Sequence, residues 1–381
     1  MRARLIILVC LTVGTSTVPI GAFPALLPDL DRIVGLSDIE LGALAAGFGF
    51  ARMVMDVPVG LFVARHLTLA LAVSPLLLTF GIAIIASGGP FPVLLGGRLL
   101  MGFAHALGMV AWLTTILRFQ SGATLGRALN AMEFTAMIGM LAGTAAIGLL
   151  PRAWSWNVAL AVACVPQLLG IVLGPLVARA VPPAEATPSV APAPVSPSSV
   201  GSRRGVALAF ATGTVMAVAY SMLEGYLIPL RGGREFALDR TGVARLLIVA
   251  QLVDMVALMP VGLLADRAGL SRLLAAILAA AAVATVLVSF GDYSSVVIGA
   301  ACLGLAMAGW MLPVALLRRD TPPARIAWRT ALYRVGVDGG LFLGPFLAGV
   351  LGARSWLLST TLVLALGVLA ILVLTTREER S

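Results

Sequence analysis

Asp56-Val57-Pro58-Val59-Gly60-Leu61-Phe62-Val63-Ala64-Arg65 closes one long apolar run, and Met259-Pro260-Val261-Gly262-Leu263-Leu264-Ala265-Asp266-Arg267-Ala268-Gly269 closes another about two hundred residues later. Both contain Pro-x-Gly-x-x-x-x-Arg, and a further apolar run follows each time. Hydrophobic residues make up 60% of the chain and charged residues 11%, and the mean hydropathy is +1.04. A 381-residue chain of this composition cannot hide its apolar surface in one soluble core, so the bilayer must be the solvent for most of it. The repeat then says that the membrane protein is internally duplicated.

A helix needs about 20 apolar residues to cross the hydrocarbon core. Twelve such runs are present, at 5–28, 40–63, 69–87, 92–117, 128–150, 157–178, 205–230, 241–264, 271–290, 294–317, 329–350 and 355–374. They are continuous and lack the alternation of a membrane barrel. The fold class is therefore all-α and integral to the membrane, with twelve transmembrane helices. The first run follows Met1-Arg2-Ala3-Arg4 and has an alternative reading as a secretory signal. It is long for that, it holds Pro19 and Pro24, and its removal would break the repeat.

The chain has no Lys, so all 26 basic residues are Arg. Alternating the runs across the bilayer places sixteen of them on one side and six on the other: Arg32, Arg152, Arg231, Arg234, Arg240 and Arg354. Cytoplasmic loops carry the excess of positive charge, so a multi-pass protein of the cytoplasmic (inner) membrane with both termini cytoplasmic is expected. The net charge of +9 is thus topology information and does not point to nucleic acid. Cys10, Cys164 and Cys302 lie singly in apolar runs and read as small core residues, with no disulfide, metal or cofactor role.

Residues 181–200 are rich in Pro, Ala and Ser and read as a cytoplasmic linker. It divides the chain into a six-helix bundle at 1–179, a linker at 180–204 and a six-helix bundle at 205–381. The halves match at Pro58/Pro260, Gly60/Gly262, Gly139/Gly340, Gly143/Gly344 and Gly148/Gly349, and Trp154-Ser155-Trp156 corresponds to Arg354-Ser355-Trp356. Such repeats are a signature of secondary transporters, with the substrate near the midplane at the repeat interface.

With these residues in view, the chain resembles the major facilitator superfamily over essentially its whole length. The resemblance implies two pseudo-symmetric bundles and transport by alternating access. That family's loop motif between helices 2 and 3 is matched in the second half by Gly262, Asp266, Arg267, Gly269 and Arg272. The first-half copy keeps Gly60 and Arg65 but has Ala64 in place of the Asp and Leu67 in place of the Gly. In the family these residues are gating parts. Arg98-Leu99-Leu100-Met101-Gly102 resembles a helix 4 motif linked there to proton coupling. The Gly-Pro pair that antiporters carry in helix 5 appears here in helix 11, as Gly344-Pro345. The nearest pattern is that of twelve-helix, proton-coupled efflux members.

Ionisable residues inside the membrane are expensive, so each is a functional candidate. Arg52 and Asp56 share a face of one helix, and Arg334 and Asp338 share a face of another. At about 1.5 Å per residue, Asp56 matches Arg334 in depth and Arg52 matches Asp338. Two crossed bridges, Arg52–Asp338 and Asp56–Arg334, are therefore expected between the bundles, with pairing inside each helix as the alternative. By the repeat, Arg52 corresponds to Asp254 and Arg334 to Glu133. This assigns Glu133 and Asp254 to proton coupling, with Arg98 or His105 as relay. The bland alternative is that the acids simply hydrogen-bond their neighbours. Glu224, Tyr220, Trp112 and Trp310 are candidates for the cavity wall. For Glu224, a pairing with Arg231 or Arg234 is the competing reading, and for the aromatics it is packing.

The expected function is secondary active transport of a small organic molecule by a monomer, most simply proton-coupled export. The alternative is proton-coupled uptake or exchange of a small organic anion, through Arg52, Arg98 or Arg334. An enzyme is not indicated: no nucleotide-binding loop, His or Cys ligand cluster or Gly-x-Ser-x-Gly elbow is present. A non-transporting sensor would need an effector domain, and the only long hydrophilic stretch is the linker.

Overall fold

The structure, a computed structural model, describes residues 2–120, 122–182, 203–352 and 355–375. Most of the linker and Arg354 of the second Trp motif lie outside the described residues. The described residues contain no strand. Eleven helices are long and apolar enough to cross a membrane. One of them, Asp38–Ala86, has 49 residues. At about 1.5 Å per residue it would run to roughly 74 Å, more than twice the hydrocarbon thickness. It is broken at His66, with φ −128° and ψ 44°, and so supplies two of the twelve expected spans. We name these α2 (38–65) and α3 (67–86). The others are α1 (Ala3–Val34), α4 (Phe91–Phe119), α5 (Gly122–Leu149), α6 (Trp156–Ala180), α7 (Arg203–Arg234), α8 (Arg240–Ala268), α9 (Leu270–Phe290), α10 (Tyr293–Arg319), α11 (Pro323–Leu351) and α12 (Trp356–Leu374).

The two copies of the Pro-x-Gly motif turn differently. After α8 the chain turns at Gly269, with φ +90°, a conformation that costs any residue with a Cβ. After α2 the break at His66 keeps φ negative, so no glycine is needed. Leu67 occupies the glycine position and is buried.

The matched glycines do equivalent work in the two halves. A Cβ on Gly139 or Gly143 would strike the α1 backbone at Gly14 and Val18, and one on Gly340 or Gly344 would strike α7 at Thr214 and Val218. Backbones this close are how membrane helices associate where lipid removes the hydrophobic driving force. Each seam carries an interhelical hydrogen bond: Thr144 Oγ1 donates to the Gly21 carbonyl at 2.9 Å, and Ser221 Oγ to the Gly340 carbonyl at 3.2 Å.

The chain clusters into two compact units. One holds the described parts of 1–36 and 50–192, and Asp239–Ala244; the other holds Ser37–Gly49 and the described parts of 193–238 and 245–381. The third glycine pair explains the exchanged pieces. In the first unit Gly148 of α5 faces the start of α8 at Ala244, and in the second Gly349 of α11 faces the start of α2 at Gly42. Those two helix starts are built alike. Gly35 and Ala237 both have positive φ, +71° and +51°. Two residues later, Ser37 accepts the Glu40 backbone N–H and Asp239 accepts that of Gly242, as N-caps do. Glu40 returns a bond to the Ser37 N–H, completing a capping box.

Candidate functional site: the buried charges

In the first unit, α4 carries Arg98 and His105 seven residues apart, on one face of the helix. Both are buried. The Arg98 guanidinium lies over the Phe23 ring, 3.8 Å from its centroid, a cation–π contact that stabilises a charge away from water. Phe23 sits where α1 leaves regular α-helix for the tighter turn Pro24–Leu26. His105 Nδ1 is 3.4 Å from Arg52 Nη1. Because guanidinium can only donate, this ring nitrogen acts as acceptor in that contact. Arg52 is also within electrostatic reach of Glu133 on α5. The His105 ring meets Trp112 edge-on at 6.2 Å. Trp112 is 1% exposed and packs with Leu107, Ala111 and Ile116 in this unit's core. Asp56 is buried on α2, one turn beyond Arg52.

The second unit places an acidic group on α7 and α8. Glu224 lies in a π-helical turn, Leu223–Leu227, the kind of local under-winding that often marks functional positions. Its carboxylate accepts a hydrogen bond from Gln251 Nε2 at 2.9 Å. Gln251 is three residues before Asp254 and shares its side of α8. Tyr220 lies one turn before Glu224 on the same helix, and its ring meets Trp310 at 6.1 Å, near edge-on. Tyr220, Glu224, Asp254 and Trp310 thus come from three helices to one locality. Arg334 and Asp338 follow on α11, with Asp338 1% exposed.

The arginines expected outside are engaged elsewhere than with Glu224. Arg231 pairs with Glu235 at 2.6 Å and donates to the Val288 and Gly291 carbonyls. Arg234 pairs with Asp38 at 2.7 Å. In the first unit Arg240 meets Asp29 at 3.7 Å, and Arg152 pairs with Asp239. Among the described residues, Arg152, Arg231, Arg234 and Arg240 therefore have carboxylate partners.

Of the gate-motif residues, Gly60 and Gly262 stand in open space, and Arg65 and Arg267 are exposed. The side chain of Asp266 lies outside the described residues. Two site features were not anticipated from sequence, Phe23 beneath Arg98 and Gln251 on Glu224. The signal for Gln251 was an amide isolated in the apolar run Leu246–Leu258, one turn from Asp254.

A family model described as Major Facilitator Superfamily matches residues 5–250. No curated protein matches the sequence. Among solved structures, a point mutant of the nucleoside transporter NupG superposes with a TM-score of 0.74 at 13% identity, covering 98% of this chain and 100% of that one. A bacterial homolog to the human lysosomal transporter Spinster, inward-facing and unoccupied, gives 0.73 at 14% identity, covering 98% and 94%. At these identities the likeness is one of fold.

Proposed function

The chain belongs to the major facilitator superfamily, and we propose that it exports a small organic molecule by proton-coupled alternating access. Membership and fold carry transport across a membrane by a multi-pass protein. Direction and coupling rest on one observation, the buried Glu224 carboxylate held by Gln251, three residues before Asp254 on α8. A carboxyl buried as Glu224 is is ionised in a low-dielectric setting only at a cost that a positive charge can offset. A proton or a cationic substrate supplies it, and a group that accepts either but not both is an antiport site. Gln251 holds the Glu224 carboxylate in place, and the Tyr220–Trp310 pair offers aromatic faces to a cation. Arg52, His105 and Glu133 form a second titratable group in the first unit, suited to relaying the proton. The crossed pairs Arg52–Asp338 and Asp56–Arg334 belong to this proposal as ties that hold one access state. The motif glycines and arginines act at its gates.

A second reading, uptake of a small organic anion, is favoured by Arg98, whose buried guanidinium rests on an aromatic face. We place the protein in the cytoplasmic membrane as a monomer with both termini inside. The excess of arginines, sixteen on one side against six on the other, supports that orientation.

The test is proton flux in proteoliposomes loaded with a pH dye and challenged with lipophilic cations and small organic anions. Flux triggered by cations, and lost in Glu224→Gln or in Asp254→Asn, is expected. Anion-triggered flux that is lost in Arg98→Gln would replace export with the uptake reading. Transport of labelled substrate without proton movement would sink the coupling.

A further inference from the structure

The α2–α3 corner of the first unit has a feature that transport itself leaves unused. A cavity of about 350 Å³ opens between α2, α3 and α4, lined by Met55, Pro58, Val59 and Phe62 of α2, Leu69, Val73 and Leu77 of α3, and Phe103 and Leu107 of α4. Every one of these is apolar. At about 30 Å³ per water-sized group, the cavity holds roughly a dozen methylenes, most of an acyl chain. All three helices lie in membrane-spanning segments, so the medium that reaches the cavity is lipid.

Two basic residues, Arg65 and His66, follow this lining at the α2–α3 break. Phe62 and Leu69 line the cavity, and His66 stands between them in sequence at the helix break. The His66 ring packs on that of Phe62, with centroids 5.0 Å apart. Arg65 and His66 are both exposed. Ala64 stands where the second-half copy has Asp266, so this corner lacks the acid that would neutralise Arg65.

We propose that this corner seats one anionic phospholipid, with an acyl chain in the α2–α3–α4 cavity and the phosphate on Arg65 and His66. The site makes the missing Asp meaningful. The first copy of the motif has exchanged an acidic gate residue for a lipid contact, whereas the second retains the acid. A cationic side chain beside an anionic headgroup contributes about a fivefold preference. Selection for phosphatidylglycerol over phosphatidylcholine should therefore be several-fold at this site.

The experiment uses the full chain in nanodiscs containing phosphatidylglycerol or phosphatidylcholine, each with a photoreactive group on the acyl chain, followed by peptide mapping. Phosphatidylglycerol is expected to label peptides spanning 55–62, 69–77 and 103–107, several-fold above phosphatidylcholine. Ala64→Asp, which recreates the second-half pattern, should bring the two lipids to parity, as should Arg65→Gln combined with His66→Gln. Val73→Trp, which fills the cavity, should abolish labelling there by either lipid. Equal labelling by both lipids in the unmutated protein, or labelling confined to other surfaces, would overturn the proposal without touching the assignment of transport. The unmutated protein alone decides the point should a variant fail to fold.

Discussion

Gly143→Ala and Gly344→Ala should destabilise the protein by similar amounts, whereas Gly60→Ala and Gly262→Ala should not. On Gly143 a Cβ would overlap the Val18 carbonyl oxygen and stand 3.0 Å from the Ala22 nitrogen. On Gly344 it would overlap Ser221 Oγ and stand 2.6 Å from the Val218 oxygen. These obstacles are mostly backbone, so the helix pair has to part. Overpacking of this kind costs about 1–3 kcal/mol. Parting α1 from α5 also loosens the bond from Thr144 to Gly21, about 0.6 kcal/mol by the average for membrane helices. The gain of Ala over Gly within a helix returns about 0.5–1 kcal/mol, leaving a net loss of about 1–3 kcal/mol. Gly60 and Gly262 have nothing within 4 Å of the added Cβ, so only the gain remains. Thermal unfolding in detergent, followed by a thiol-reactive dye, reads both seams. Cys10 and Cys164 report on the first unit and Cys302 on the second. At about 2–4 °C per kcal/mol, the first two variants should melt several degrees lower and the controls no lower than the parent. Equal melting of all four variants would refute the close approach of α1 to α5 and of α7 to α11.

Three further outcomes follow from the same geometry and the same melting assay. Arg240 is 3% exposed and Asp29 22%, so Arg240→Ala should cost about 2–3 kcal/mol, below the 3–5 of a fully buried pair; Asp29→Asn added to it should cost less than the two single losses combined. Ala237→Gly should stabilise by about 0.5–1 kcal/mol, since the φ of +51° is costly for a residue with a Cβ; Gly35→Ala, at the corresponding place with φ +71°, should shift the melt the opposite way. Gln251→Leu should cost about 1–3 kcal/mol by leaving the Glu224 carboxylate without its amide donor, and should lower cation-triggered proton flux in the liposome assay; unchanged stability and flux would remove Gln251 from the site.

The class of fold was legible because a bilayer imposes a length on every apolar run, and each run has a counterpart among the helices. Where the reading and the structure differ in form, local geometry is the reason. The second and third runs are two helices with only His66 between them, at φ −128° and ψ 44°, and nothing in composition foretells so short a connection. The glycine matches were legible as a pattern, but their task was not: only coordinates show that Gly143 meets Val18 and Gly344 meets Val218. The buried charges were found as residues because charge is rare in apolar runs. Their partners were less accessible, since pairing depends on rotation about each helix axis. Spacing in sequence fixes that rotation within a helix and never between two. Thus Gln251 on Glu224, and Phe23 under Arg98, join side chains whose separation in sequence carries no period.

The helix ends that carry these ion pairs show how a duplicated chain departs from its own repeat while keeping the architecture. Asp38 follows the cap at Ser37 and Arg240 follows the cap at Asp239, so the two occupy the same place in each half and differ in sign. In the second unit Asp38 pairs with Arg234, at the end of α7. In the first unit Arg240 pairs with Asp29, near the end of α1. Each pair ties the start of a second helix to the end of a first helix drawn from the other half of the sequence, with the signs exchanged. An attraction depends only on the product of the charges, so both arrangements serve the same tie. A search for matching residues sees a mismatch at 38 and 240, although the tie between helix ends is present in both units. The repeat is therefore read more fully from which positions pair than from which residues agree.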